Sequence, residues 1–382
     1  MNFEPTEEQR MFQDSVQRFA RTELAPGAAE RARSHEYPWD VARQMAQMGL
    51  MGIALPEEDG GMGGTLLDSI IAIQAVAEAC PRSADAIQAG NFGPVRTFAQ
   101  FATPALKERY LGPILRGEAV ISLGMTEPEA GSAVTDLQTS ATPDGDGFRI
   151  NGTKIFGTHS AEASVFLVYV RFGPGLDGIG SVLIAKDAPG LTVGQPSAFM
   201  NGEEWAQLYF DNVYVDPEDV LLGPGGFRKQ ISGFNVERLG NAARAVAVGR
   251  HAFNTARDHA LERKQFGRPL CEFQGIQWKF ADMSMRLEAA QLLLMRAAAN
   301  AGTGLPKASE TTLAKLACNE AGFFAANEAL QVMGGLGFSE ESTVQYCLRR
   351  TRGWMIAGGS IEILKNRVAE DVFGRSFSQR PK

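Results

Sequence analysis

The hydrophobic period of this chain changes twice along its length, and that double change limits the folds open to it. From Thr6 to Gly49 apolar residues return at three- and four-residue steps, as at Phe12, Val16 and Phe19, behind a cappable start at Thr6, Glu7 and Glu8. Helical pattern continues through Leu66–Ala79, where Pro81 stops it, then through 90–101 and 104–115 to a turn at Gly117. Past Glu118 short β-branched or aromatic runs take over between Gly, Pro and Asp turns, at 148–150, 165–170, 181–184 and 207–210. After the glycine-rich stretch 221–226 the helical period returns near 229–263, 274–301, 307–333 and 346–374. The expected class is therefore α+β, with an N-terminal all-helical domain at 1–118, a middle β barrel or sandwich at 119–225, and a C-terminal antiparallel four-helix bundle at 226–382. No G-x-G-x-x-G follows a strand, so a dinucleotide-binding Rossmann unit is not expected.

Composition narrows the function classes. A globular balance of 44% hydrophobic and 21% charged residues goes with a net charge of −7. That charge argues against nucleic acid or an anionic membrane as the main partner. The N-terminus has no basic segment ahead of an apolar core, and no run reaches the roughly eighteen apolar residues of a bilayer span. The expectation is a soluble cytoplasmic protein without membrane insertion. Cys80, Cys271, Cys318 and Cys347 are far apart and unpatterned, and His35, His159, His251 and His259 are scattered. Neither a disulfide framework nor a metal site is expected, and His159 reads as a solvated loop histidine.

Two short segments carry most of the functional signal. In Met125-Thr126-Glu127-Pro128-Glu129-Ala130-Gly131-Ser132, Pro and Gly break regular structure and leave backbone N–H groups and hydroxyls free for an anionic or carbonyl-rich ligand. In Asn151-Gly152-Thr153-Lys154-Ile155-Phe156-Gly157-Thr158 a turn feeds an apolar strand that ends on a hydroxyl. On local chemistry alone the two segments read as polar turns in a β domain. Both segments, in this order, resemble the flavin-binding signatures of the acyl-CoA dehydrogenase family. The resemblance extends over 55–64, 210–215, 262–268 and 331–338, nearly end to end.

That resemblance implies flavin adenine dinucleotide (FAD), a homotetramer in which the adenosine end is partly held by a neighbouring subunit, and oxidation of an acyl-CoA to its 2-enoyl form. It also implies electron transfer flavoprotein as acceptor. Met125 and Thr126 would meet the flavin ring, Ser132 would lie near the pyrophosphate or CoA, and Thr158 would approach flavin N5. Phe156 stands where relatives usually carry Trp. Arg263 and Phe266 would meet the FAD of the adjacent subunit, with Gln331 and Gly335 near its adenosine portion. The chain departs from the family at the base: Ala357-Gly358-Gly359-Ser360 replaces the usual Tyr-Glu-Gly-Thr. Gly358 cannot take a proton, although its N–H can still donate to a thioester carbonyl, and the lost bulk leaves room for a branched, cyclic or otherwise wide acyl group. Gly359 adjoins the substrate, Ser360 can keep the flavin role of the Thr, and Glu362 replaces a residue that is often Gln.

A second family location for the base matches Phe234-Asn235-Val236-Glu237-Arg238-Leu239, which makes Glu237 the expected base and Arg238 a ligand for CoA phosphate. The competing reading of Glu237 is an ion pair to Arg244. Asp85 is a rival acid, with Arg82 facing the same acyl pocket, against a helix-capping Asp and a solvated Arg. The run Arg349-Arg350-Thr351-Arg352 reads as solvated or subunit-facing. The desulfinase branch, which releases sulfite without net oxidation, is an alternative function suggested by Tyr37-Pro38-Trp39-Asp40 and by the missing Glu. A helical interaction protein that has lost its flavin is another.

Overall fold

The computed structural model describes residues 5–379, which separate into two compact units. One comprises the segments up to Arg33, Thr65–Asp85 and everything from Asn235 onward, and the other comprises Ser34–Gly64 and Ala86–Phe234.

The second unit is organised by an eight-stranded mixed sheet. Its strands run in the spatial order Val220–Leu222, Ile179–Ala185, Val165–Arg171, Ser140–Asp144, Gly147–Lys154, Leu208–Val215, Leu191–Val193, with Ile121–Gly124 pairing parallel to Val165–Arg171. The strand Val165–Arg171 is buried on both faces. Val165 and Leu167 pack with Phe98, Leu106 and Ile114 on the helical side, while Phe166, Val168 and Val170 pack with Ile150, Phe210 and Val213 on the other. A strand covered on both faces reads as a continuous apolar run rather than an alternation, and that is how 165–170 stands out in the sequence. The expected helix at 90–101 is two helices, Ala84–Asn91 and Pro94–Phe101. Gly93 turns the chain between them at φ 65°, a conformation that a side chain would oppose, and Pro94 starts the second.

The first unit is helical. Glu7–Phe19 starts on a capping box in which Thr6 and Gln9 exchange hydrogen bonds, and Leu66–Ala79 starts on a second box between Thr65 and Asp68. The long helices are Phe227–Glu262, which belongs to this unit from Asn235 onward, Gln274–Ala301 and Ala308–Met333. The first and third of these meet at two glycines: a Cβ on Gly249 would lie 2.7 Å from Gly322 Cα, and one on Gly322 would lie 2.2 Å from Ala245 O. Only bare backbone permits that approach, and it brings Lys315 toward Glu237 and Arg238. The expected last helix at 346–374 is split into Thr343–Trp354 and Ile361–Phe373. The break carries Gly358 at φ 70° and Gly359 at φ 93°, after which Ser360 caps the final helix through Ile363 N.

Candidate active site

In the sheet-containing unit the two signature segments lie together. Ile155 N donates to Thr126 O at 2.9 Å, and Ser122 Oγ donates to Thr158 O at 2.7 Å. Beneath them Lys154 Nζ lies 2.7 Å from Glu127 Oε1 and donates to Met125 O at 3.2 Å. Glu127 also accepts from Gln138 N at 2.6 Å and Thr139 N at 2.9 Å. Burial by itself would raise Glu127, but Lys154 and these hydrogen bonds outweigh it and lower its pKa. Burial pulls Lys154 down to about 8 against the attraction of Glu127. Sequence reading quoted both residues inside the motifs and gave them no role. The available signal was a lysine closing a strand whose other inward positions are apolar.

Above this pair the surface is open. Met125 and Thr126 are half-buried, while Ser132, Phe156 and Thr158 are exposed. Phe156 sits at φ 58° with its ring 4.5 Å from that of Trp205. The expected solvated histidine is instead buried: His159 is 6% exposed, with Nε2 3.5 Å from Glu203 Oε1 and its ring edge-on to Tyr37 at 4.8 Å.

In the helical unit a second group of residues surrounds the glycine turn. Lys315 is fully buried, and its Nζ donates to Trp354 O and Gly359 O at 3.0 Å each. Burial, then Arg238, push it down to about 7, with Glu237 acting in the opposite sense. A Cβ on Gly358 would lie 3.6 Å from Lys315 Cε and 4.0 Å from Asn241 Nδ2, and one on Gly359 would lie 4.0 Å from Arg238 Nη2. Among the described residues neither Gly358 N–H nor Gly359 N–H donates to a protein acceptor. Glu237 is 22% exposed with Arg244 Nη2 3.9 Å from its Oε1, the contact named by its competing reading. Arg238 donates to Asn235 Oδ1 at 3.0 Å and is lowered by burial and by Arg367.

Asp85 is neither solvated nor a helix cap. It is 2% exposed, and its Oδ1 takes Arg244 Nη1 and Arg350 Nη2 at 2.7 Å each, with Arg82 Nη1 at 3.5 Å and Tyr346 Oη at 3.4 Å on Oδ2. Burial would raise this carboxyl, but Arg350, Arg244 and Arg82 hold it well below the usual carboxylate range. The readings of Arg82 as solvated and of Arg350 as surface are thereby corrected, since both turn inward onto Asp85. Arg244 and Arg350 also lie over the Trp354 ring at 5.0 and 4.7 Å. Only Arg352 of the Arg349–Arg352 run is exposed.

Arg263 lies just past the helix end at Glu262 and is exposed, and Phe266 at φ 50° is 95% exposed. Gln331 and Gly335 are exposed around the break at Gly334, and Ser360 accepts from Ile363 N at 3.4 Å. No helix among the described residues is long and apolar enough to cross a membrane.

Comparison with known proteins meets this geometry directly. The profile for the acyl-CoA dehydrogenase N-terminal domain matches residues 6–118, that for the middle domain 122–213 and that for the C-terminal domain 224–373. A 3-sulfinopropanoyl-CoA desulfinase from Paraburkholderia xenovorans is 35% identical, with 99% of each chain covered. A short-chain-specific acyl-CoA dehydrogenase from Clostridium acetobutylicum is 32% identical over 98% of this chain and 100% of its own. The butyryl-CoA dehydrogenase structure from Megasphaera elsdenii superposes with a TM-score of 0.90 at 30% identity, covering 98% of this chain and 100% of that one. The chain belongs to the acyl-CoA dehydrogenase family. It is an oxidoreductase of that family, not a flavin-free interaction protein, and its cofactor is FAD. The residues present suit that group. The hydroxyls of Thr126, Ser132 and Thr158 make no hydrogen bond to the described protein, and Thr158 follows the exposed ring of Phe156 by two residues. Such a set of donors around an apolar wall matches the carbonyls and nitrogens of a flavin ring.

Proposed function

We propose that this protein catalyses α,β-dehydrogenation of an acyl-CoA thioester to the 2-enoyl-CoA, with Glu237 as the base that removes the α proton. The observation that carries this reading is the setting of Glu237. It lies on a rigid helix with Arg238 and Asn241, each of which comes within 4.0 Å of where a Cβ would stand on Gly359 or Gly358, and Arg244 Nη2 lies 3.9 Å from its carboxylate. A base must be ionised to act, and a guanidinium beside it favours that form.

The α C–H of a thioester is a weak acid, so the enzyme has to stabilise the developing enolate oxygen. The N–H groups of Gly358 and Gly359 are the donors for that oxygen, held in place by Lys315 Nζ, which donates to Gly359 O. Arg238 binds the CoA portion. Asp85 does not compete as base, because three arginines engage its carboxylate. It orients Arg244 instead. FAD supplies the two-electron acceptor for the β hydride. Thr126, Thr158 and Phe156 would hold its ring, and Arg263, Phe266, Gln331 and Gly335 would hold the FAD of a neighbouring subunit in a homotetramer. The three sequence domains 1–118, 119–225 and 226–382, a cytoplasmic location and electron transfer flavoprotein as acceptor complete the proposal.

The test is an anaerobic titration of the flavin-loaded protein with straight, branched, cyclic and dicarboxylic acyl-CoAs, following flavin absorption. Bleaching by one class, slowed by about 10²- to 10⁴-fold in Glu237→Gln, is the expected result. A second reading, desulfination of 3-sulfinopropanoyl-CoA, is supported by the identity to the Paraburkholderia desulfinase and by the glycine at 358. Sulfite release without bleaching would replace the first reading with the second.

A further inference from the structure

We propose that Glu127 and Lys154 are positioning residues for the cofactor: a buried clamp that fixes the peptide planes on either side of Thr126, so that its N–H and hydroxyl stay presented to the flavin. The proposal rests on the reading of Thr126 as flavin-facing.

The argument starts from cost. Lys154 is 1% exposed and Glu127 7%, and a buried ion pair of this kind commonly offers no net stability over apolar side chains of the same volume. Lys154 falls to about 8 even beside its carboxylate, so the attraction does not fully offset the loss of water. What the pair provides is geometry. Lys154 Nζ draws Met125 O toward the interior at 3.2 Å. In a planar trans peptide the N–H of the next residue points the opposite way, so Thr126 N–H is directed away from the lysine. Among the described residues it donates to no protein acceptor. The following peptide is fixed as well, because Thr126 O accepts from Ile155 N at 2.9 Å and Glu127 N donates to Ala130 O at 3.2 Å.

Glu127 completes the clamp. Its carboxylate takes Lys154 on one oxygen and spans Gln138 N and Thr139 N, tying the Met125–Ser132 turn to the strand that begins at Ser140. Lys154 ends the strand Gly147–Lys154, whose continuation carries Phe156 and Thr158. One charge pair therefore sets the spacing of both flavin-facing segments, although neither side chain touches the open surface.

The experiment uses full-length protein stripped of FAD and titrated with FAD, reading the dissociation constant from flavin fluorescence together with the visible spectrum of the bound flavin. Lys154→Met and Glu127→Gln are each expected to weaken FAD binding by about tenfold or more and to shift the flavin band, as loss of a charge-assisted hydrogen bond would. Lys154→Arg should recover part of the affinity. The double variant should not, because restoring neutrality does not restore the pull on Met125 O. Wild-type affinity and spectrum in folded Glu127→Gln, or in Lys154→Met with only a lowered thermal midpoint of the apoprotein, would overturn the clamp and leave the pair a stability element. Thr126→Val separates the two layers. If it weakens FAD binding while Lys154→Met does not, the clamp fails and the cradle reading stands; if Thr126→Val changes neither affinity nor spectrum, the cradle reading itself fails.

Discussion

The molecule buries carboxylates in two different ways. In the sheet unit, Glu127 meets one lysine and two backbone N–H groups, all supplied by neighbouring strands and turns. In the helical unit, Asp85 is shared among Arg82, Arg244 and Arg350, drawn from widely separated parts of the chain. The first arrangement draws on backbone that sheet register already holds in place, so a single lysine suffices. The second has no such backbone. Helices satisfy their own N–H groups internally, so a carboxylate buried among them depends on side-chain donors and on the packing that delivers them. Local register secures one charge, and helix crossing secures the other.

The largest effect should follow Asp85→Asn, which leaves buried guanidinium groups without their anion. Denaturant unfolding should show a loss of about 3–5 kcal/mol. Because the folded carboxyl titrates below its ordinary value of 3.8, its contribution is present above that pH and fades as the pH falls through the lower folded value. The gap between wild type and Asp85→Asn should narrow in acid accordingly. Glu127→Gln keeps an acceptor for the backbone N–H groups and should cost less, about 1–3 kcal/mol. Equal losses for the two would break the comparison.

Lys315→Met tests the glycine turn with pH as the variable. Lys315 is lowered from 10.5 to about 7, so between those values the folded chain has released a proton that the unfolded chain still binds. Its contribution to stability therefore rises with pH across that window and is smallest below about 7. The thermal midpoint of wild type should gain on that of Lys315→Met from pH 7 to 9, and a constant difference would mean that the ammonium is not desolvated. The smallest effects lie in the arginine run. Arg350→Gln should cost about 2 kcal/mol, because two arginines still hold Asp85. Arg352→Gln, on the exposed side of the same helix, should stay within about 0.5 kcal/mol. If the two behave alike, Arg350 is not part of the buried hub.

The sequence by itself determined the succession of helical, strand-rich and helical stretches, because hydrophobic period is a local property and the strand 165–170 is apolar on both faces. It also singled out the two segments proposed to hold the cofactor, whose hydroxyls and glycines lie within a few residues of one another. It did not show that 90–101 and 346–374 would each break, since a helical period continues on either side of Gly93 and of Gly358 and Gly359, and only backbone angles reveal the reversal. Nor did it show that Asp85 would be caged, that Arg350 would turn inward while Arg352 stays out, or that Lys315 would hold the turn at Gly358 and Gly359. Those placements follow from helix crossings such as the Gly249–Gly322 contact. The burial and charge environment of an ionisable side chain depend on what packs against it from distant parts of the chain, and only the tertiary structure decides that.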